Sequence, residues 1–201
     1  MGVRVAVIYY SATGNVHALA QAVAKGAESR NAEVRLRRVP ELAPDTAIDA
    51  NPAWRAHVDA TKDTVPEATV EDLEWGTAYA FGSPTRYGNV AAQLKQYMDL
   101  TGTQWQAGVF HSKPVTSFTS SMNMHGGQES TLLSMNNVFY HWGCVIVPPG
   151  YTDPLLFAAG GNPYGTSWAS GSGELPDEAT LAAADYQGRH LADIAGRLAG
   201  A

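Results

Sequence analysis

The chain has 201 residues, of which 45% are hydrophobic and 16% charged, enough apolar material to enclose a substantial core in one domain. Its formal net charge is −6 and its longest basic run is the pair Arg37 and Arg38, which argues against a nucleic-acid partner, because phosphate neutralisation supplies most of the affinity in such complexes. No apolar stretch approaches the roughly 20 residues that span a bilayer, and residues 1–6 lack the layout of a secretory signal, so no membrane partner and a cytoplasmic location are expected.

Residues 3–10 are apolar, β-branched or aromatic except for Arg4, which predicts a strand covered on both faces. A Ser/Thr/Gly turn follows at once. From Asn15 to Glu28 the apolar positions Val16, Leu19, Ala20 and Val23 then repeat at helical spacing. Residues 33–39 predict a second strand, completing a βαβ unit with a right-handed crossover. Residues 40–66 are rich in Pro, Asp, Ala and Thr without a clean period, and read as a long surface connection. The alternation then resumes with a strand over 77–82, a helix over 89–100, a strand over 114–120, a helix over 128–142 and a strand over 144–147. A last helix is expected over 177–198. Cys144, the single cysteine, cannot form an internal disulfide, fits a reducing compartment and reads as a small buried residue on the fifth strand. Residues 148–172 are irregular and loaded with Gly, Pro and aromatics, as lids or contact surfaces are. Strands alternating with helices imply an α/β fold: a doubly wound five-stranded parallel sheet with helices on both faces, in one domain spanning 1–201.

Three loops should leave the carboxyl edge of that sheet. The first, Ser11, Ala12, Thr13, Gly14, Asn15 and Val16, joins a strand to a helix, where backbone amides and the positive end of the helix dipole suit a phosphate. It contains no Lys or Arg, and neither G-x-x-x-x-G-K-[ST] nor G-x-G-x-x-G is present, which disfavours an NTPase or a dinucleotide fold. On these residues alone an ordinary Ser- or Thr-capped turn stays open. The second loop, with Pro84, Thr85, Arg86, Tyr87 and Gly88, offers an aromatic face for a planar ring, side-chain donors and glycines that let backbone amides approach ring edges. The third, with Ser121, Met122, Asn123, Met124, His125 and Gly126, opens another helix, where developing negative charge is favoured. His125 could equally be a capping or surface histidine. No metal-ligand set is assigned.

Residues 9–15, 82–89, 125–129, 162–165 and 186–188 together closely resemble the WrbA-type NAD(P)H:quinone oxidoreductases of the flavodoxin-like superfamily, with the motifs in the expected order along nearly the whole chain. The resemblance implies an FMN cofactor, NADH or NADPH as donor, a quinone substrate and a homotetramer. It carries the FMN phosphate to residues 11–16, the ring to residues 85–87, the pyrimidine edge to residues 121–126 and to His141 nearby, and a substrate or nicotinamide contact to Trp105. It makes Trp105 and His141 the expected catalytic residues. Two departures stand out: Thr13 replaces an aromatic residue that many members use toward the nicotinamide, and His141-Trp142-Gly143 replaces His-His-Gly, with Trp142 expected to pack in the core. Within the same fold, a flavodoxin-type electron carrier, an FMN-bound regulatory or scaffolding protein and an azo or nitro reductase are the competing readings.

Overall fold

The apolar run at the start becomes β1 (Arg4–Tyr9), and alternate side chains leave it into two separate cores. Val5, Val7 and Tyr9 enter one, Ala6 and Ile8 the other, which is why the strand reads as continuously hydrophobic. The computed structural model describes residues 2–200; Met1 and Ala201, included in the expected domain and in the reading of residues 1–6, lie outside them. After α1 (Asn15–Glu28) come β2 (Glu33–Arg38), α2 (Asp45–Asp49), α3 (Pro52–Thr61), α4 (Val70–Trp75) and β3 (Ala78–Pro84). Next are α5 (Ala92–Asp99), α6 (Gly102–Gln106), β4 (Pro114–Ser121) and α7 (Gln128–Trp142). The chain ends with β5 (Val145–Ile146), α8 (Pro154–Ala158), β6 (Ser167–Ala169) and α9 (Glu178–Ala199).

All strand pairs are parallel, in the order β2-β1-β3-β4-β5, with helices on both faces as expected. Sheets of this order bind ligands outside the carboxyl ends of the strands, where the winding direction reverses between β1 and β3. α1 and α9 cover one face. Gly26 and Gly188 make that packing possible: a Cβ on Gly188 would stand 2.0 Å from the Val23 carbonyl oxygen, and one on Gly26 1.9 Å from that of Asp185. α5 and α7 contribute to the opposite core, where Trp142 stacks on Phe110 with centroids 4.2 Å apart, the packing role expected of it. Cys144 is half-buried and lies one residue before β5 rather than on it; its thiol donates to the Phe110 carbonyl.

Two irregular stretches turn out to be structured. Residues 40–66 hold α2 and α3, and α3 is signalled by Asn51-Pro52: the Asn51 side chain accepts from the amides of Ala53 and Trp54, with proline in the first turn. The helices are too short for a period to emerge. In the same way the helix expected from residue 89 starts only at Ala92, because Asn89 closes a hairpin.

The stretch 148–172 contains a sixth short strand. β5 pairs with Pro114 and Val115, the chain leaves for residues 147–166, and β6 returns to pair with Thr119, Ser120 and Ser121 on the same edge of β4. Buried Gln187 of α9 spans the break. Its amide donates to Thr116 Oγ1 at 2.6 Å and to the Ser117 carbonyl at 2.8 Å, and its oxygen accepts from the Thr166 amide at 2.8 Å. Backbone groups orphaned by the split strand are thereby satisfied.

Gly188→Ala is expected to destabilise the protein by about 2–3 kcal/mol, because backbone cannot yield as a side chain would. A urea melt checks this, and an unchanged midpoint would show that α1 and α9 are not held this closely.

Candidate functional site

The three loops leave the sheet side by side. β1 and β3 are registered Tyr9 with Gly82, and β3 and β4 Pro84 with Ser120, so their carboxyl ends finish together. The Tyr10 amide donates to the Gly82 carbonyl at 3.0 Å and the Thr85 amide to the Ser120 carbonyl at 2.8 Å, carrying the ladder into the loops. Between them lies a cavity of about 440 Å³, lined from the first loop by Ser11, Ala12, Thr13, Asn15 and Val16, and from the second by Pro84, Thr85, Arg86 and Tyr87. Ser121 and Met122 represent the third. The size falls in the ordinary range of cofactor and ligand pockets.

The first loop fits a phosphate. Gly14, with φ 98°, caps α1 and no side chain bonds to the first turn, so its amides remain for an anion. Ser11 Oγ accepts from the Gly14 amide at 3.1 Å and shapes the turn. Asn15 is 5% exposed, and its amide oxygen is buried without a partner among the described residues. Rotating that amide half a turn would aim an N–H donor at the same point. The site's residues therefore suit a phosphorylated ligand, and the charge is met by dipoles and donors.

The second loop is a two-residue hairpin. Arg86 and Asn89 exchange both backbone hydrogen bonds, at 2.8 and 3.0 Å, around Tyr87 and Gly88, whose φ values are 52° and 76°. Positive φ at both central positions is what such tight hairpins require. Glycine accepts this freely, whereas tyrosine is strained there. The strain leaves the Tyr87 ring fully exposed at the tip, beside the cavity.

Thr85 ties the second loop to the third. Its hydroxyl donates to the Gly126 carbonyl at 3.1 Å, and accepts from the Gly88 amide at 3.2 Å and from the Thr131 hydroxyl at 2.8 Å. The backbones touch as well: a Cβ on Gly127 would be 2.7 Å from Gly88 Cα. Gly127 starts α7 with φ 85° and no side-chain cap, a second helix end open to negative charge. Of the third loop's expected residues, Ser121 and Met122 line the cavity. Met124 and His125 line a neighbouring groove instead, while Asn123 and Gly126 shape the loop through bonds from the Ser121 hydroxyl and the Gly126 amide to the Asn123 carbonyl.

Trp105 and His141 are brought to each other and not to this cavity. The Trp105 indole donates to the His141 carbonyl at 2.8 Å. His141 sits in the last turn of α7, whose first residue is Gln128, and at 1.5 Å per residue that is about 20 Å from the loop that opens the helix.

Asn51, Trp54 and Ser170 also line the cavity, and nothing in the sequence pattern marked them. Trp54 is held by Glu41, whose carboxylate accepts from the indole at 2.9 Å, from Tyr10 Oη at 2.8 Å and from Gln93 Nε2 at 2.6 Å, as well as from the amides of Leu42 and Ala43. Burial pushes the Glu41 carboxyl upward, but these donors outweigh it and hold its pKa below the ordinary glutamate value.

Fold and loops together define a flavodoxin-like α/β protein whose loops at the carboxyl edge of the sheet suit a phosphorylated planar ligand. Residues 3–153 match the family model described as NADPH-dependent FMN reductase. The chain belongs to that family. It is 42% identical over 198 residues to a protein of Deinococcus radiodurans named NAD(P)H dehydrogenase (quinone), covering 98% of each chain. A protein of the same name from Geobacter sulfurreducens is 43% identical over 213 residues, covering 98% of this chain and 99% of that one. Among solved structures, a WrbA-like flavodoxin from Agrobacterium tumefaciens superposes with a TM-score of 0.68 at 23% identity, covering 98% of this chain and 99% of that one. That likeness bears on the fold alone.

Tyr87→Gly is expected to raise stability by about 1 kcal/mol by relieving the turn, while weakening retention of a planar ligand; thermal melts and ligand fluorescence read the two effects separately. A loss of stability would refute the strain. The stability contributed by Glu41 is present in full above the ordinary glutamate value of 4.5 and is lost as pH falls through its depressed pKa. Urea midpoints of the Glu41→Gln protein are accordingly expected to lie below the wild type at neutral pH and to converge with it in acid. Parallel pH profiles would show that the carboxylate contributes nothing.

Proposed function

We propose that this protein binds FMN in the loop cavity and uses it to reduce quinones by two electrons with NADH or NADPH as donor. The observation that carries the reading is the meeting of an uncapped helix start and an exposed strained tyrosine around one cavity of about 440 Å³, with a second uncapped helix start at the groove beside it. The names carried by relatives at 42–43% identity support the substrate pair.

When bound, FMN supplies a two-electron centre that accepts hydride from a nicotinamide and passes it to a quinone. Everything else falls to the chain. The first-turn amides of α1, with Ser11, Thr13 and Asn15, hold the phosphate. Tyr87 walls the ring, Pro84, Thr85, Arg86 and Gly88 shape its edge, and the loop of Ser121 to Gly126 with the start of α7 favours negative charge at the pyrimidine side. No nucleophile is needed, and donor and quinone take turns in one slot.

That slot lacks two of its expected walls in a single chain, since His141, with the Trp105 indole bonded to its carbonyl, stands about 20 Å along α7 from the loop. We infer that a neighbouring subunit supplies them, the partner subunit's Trp105 closing the slot and the partner subunit's His141 relaying a proton to the reduced quinone, within a cytoplasmic homotetramer of single-domain chains. Among the described residues no helix is long and apolar enough to cross a membrane.

The purified protein is expected to be yellow, to bleach with NADH or NADPH and to recover with benzoquinone; a colourless preparation that ignores added FMN sinks the reading. Trp105→Ala is expected to impair quinone or NAD(P)H kinetics while leaving FMN retention intact. Light scattering that finds only monomer, with full activity, would remove the intersubunit slot.

A further inference from the structure

α3 carries His57 one helical turn beyond Trp54, against the first loop. Its Nδ1 lies 3.6 Å from where a Cβ on Gly14 would sit, and the imidazole shares a cleft of about 30 Å³ with Ser11 and Tyr10. A second imidazole, His17 in the first turn of α1, stands 5.4 Å away between ring centroids. His17 Nδ1 is already engaged, 2.5 Å from the Tyr9 hydroxyl, and Tyr9 is buried and keeps its proton, so it donates and His17 accepts.

We propose that His57 is the phosphate-specific positioning residue of the flavin site: neutral in the ligand-free protein, it takes up a proton when the doubly charged phosphate arrives and becomes the loop's missing cation. The proposal rests on the FMN reading above. It matters chemically because the first loop has no Lys or Arg, so formal positive charge must come from other elements: Arg86 of the second loop lines the same cavity, and an imidazolium on α3 adds a charge that appears only on binding.

The charged and titratable groups facing His57 allow this. From α1 comes neutral His17. From the end of β1 and the residue after it come the Tyr9 and Tyr10 hydroxyls, both kept protonated by burial. β2 supplies Arg38, which is paired with Glu67 at 3.0 Å and donates to the carbonyls of Val65 and Lys62. Glu41 lines the same cleft, but its oxygens already accept from Tyr10, Trp54 and Gln93. On α3 itself Arg55 and Asp59 are engaged in surface ion pairs. Burial above all, then the neighbouring second imidazole and the Arg38 charge, hold the His57 pKa down to about 4. A phosphate dianion opposes all three effects and raises it.

A group whose pKa rises on binding strengthens the complex below the raised value, and the gain disappears as pH climbs through it. A rise of about two units, starting from about 4, leaves roughly tenfold at pH ~5 and nothing by pH ~8. Riboflavin, without the phosphate, receives none of this, so the share of phosphate selectivity that His57 contributes is largest in mild acid.

The test dilutes the holoprotein and its His57→Gln variant between pH ~5 and ~8 and reads the fluorescence of released FMN, with riboflavin as the comparison ligand. The second ionisation of the phosphate itself, with a pKa of about 6, is common to both proteins. His57→Gln is expected to weaken FMN roughly tenfold at pH ~5 and negligibly at pH ~8, with riboflavin affinity changed little at either. Equal FMN affinities across the range overturn the proposal while leaving the flavin reading intact, whereas wild type that binds no FMN at any pH overturns both. Nitrogen-detected titration of the His57 ring in the wild-type protein gives a second readout, independent of the variant's folding. Its pKa must rise with FMN and not with riboflavin, and an unchanged pKa overturns the inference.

Discussion

The site depends on the close approach of three backbones at Gly82. This residue pairs with Tyr9 on one side and Phe118 on the other, and a Cβ there would stand 2.2 Å from the Phe118 ring and 2.8 Å from Val16. With hydrogen at that position, β1, β3 and β4 close up, Val16 at the start of α1 seats against the sheet, and the loops that follow the strands emerge around one cavity. Any side chain there would separate the phosphate loop from the hairpin that carries Tyr87. The parallel register supplies the rest, because every strand presents its carboxyl end to the same edge.

Around that edge the protein handles charge with dipoles more than with ions. Two helices begin with a left-handed glycine and no side-chain cap, at Gly14 beside the cavity and at Gly127 beside the neighbouring groove. Capping them internally would stabilise each helix by about 1 kcal/mol; leaving them open keeps amides for a ligand. The Glu41 carboxylate is saturated with donors and serves to hold Trp54 and Tyr10 in place. Strain at Tyr87 follows the same logic, since the turn that exposes the ring is one that tyrosine adopts only when the flanking hydrogen bonds insist.

The excursions set the walls. α3 brings Asn51 and Trp54 over the first loop, and the broken fifth strand brings Ser170 under the third, where the amides of Ser170 and Gly171 bond to the carbonyls of Ser121 and Met122 at 2.8 Å. The break is tolerated because Gln187 of α9 satisfies the groups it exposes. Meanwhile the length of α7 carries His141 to the far side of the molecule, so resemblance in sequence places it near the flavin while the geometry of one chain does not.

The alternation of strands and helices, the two-sided burial of β1, the three loops and the core role of Trp142 were legible in the sequence, because each follows from local period or from the chemistry of a few adjacent residues. Residues 40–66 read as a surface connection because elements of five to ten residues are too short to show a period, and Asn51-Pro52 is a local mark of α3 alone. β6 left no local trace, as three residues become a strand only where β4 offers them an unpaired edge. Which third-loop residues reach the cavity, that Trp54, Asn51 and Ser170 join them, and that His57 stands against Gly14 were decided by tertiary structure alone. Those are distances between segments far apart in the chain, and they depend on packing that no window of sequence contains.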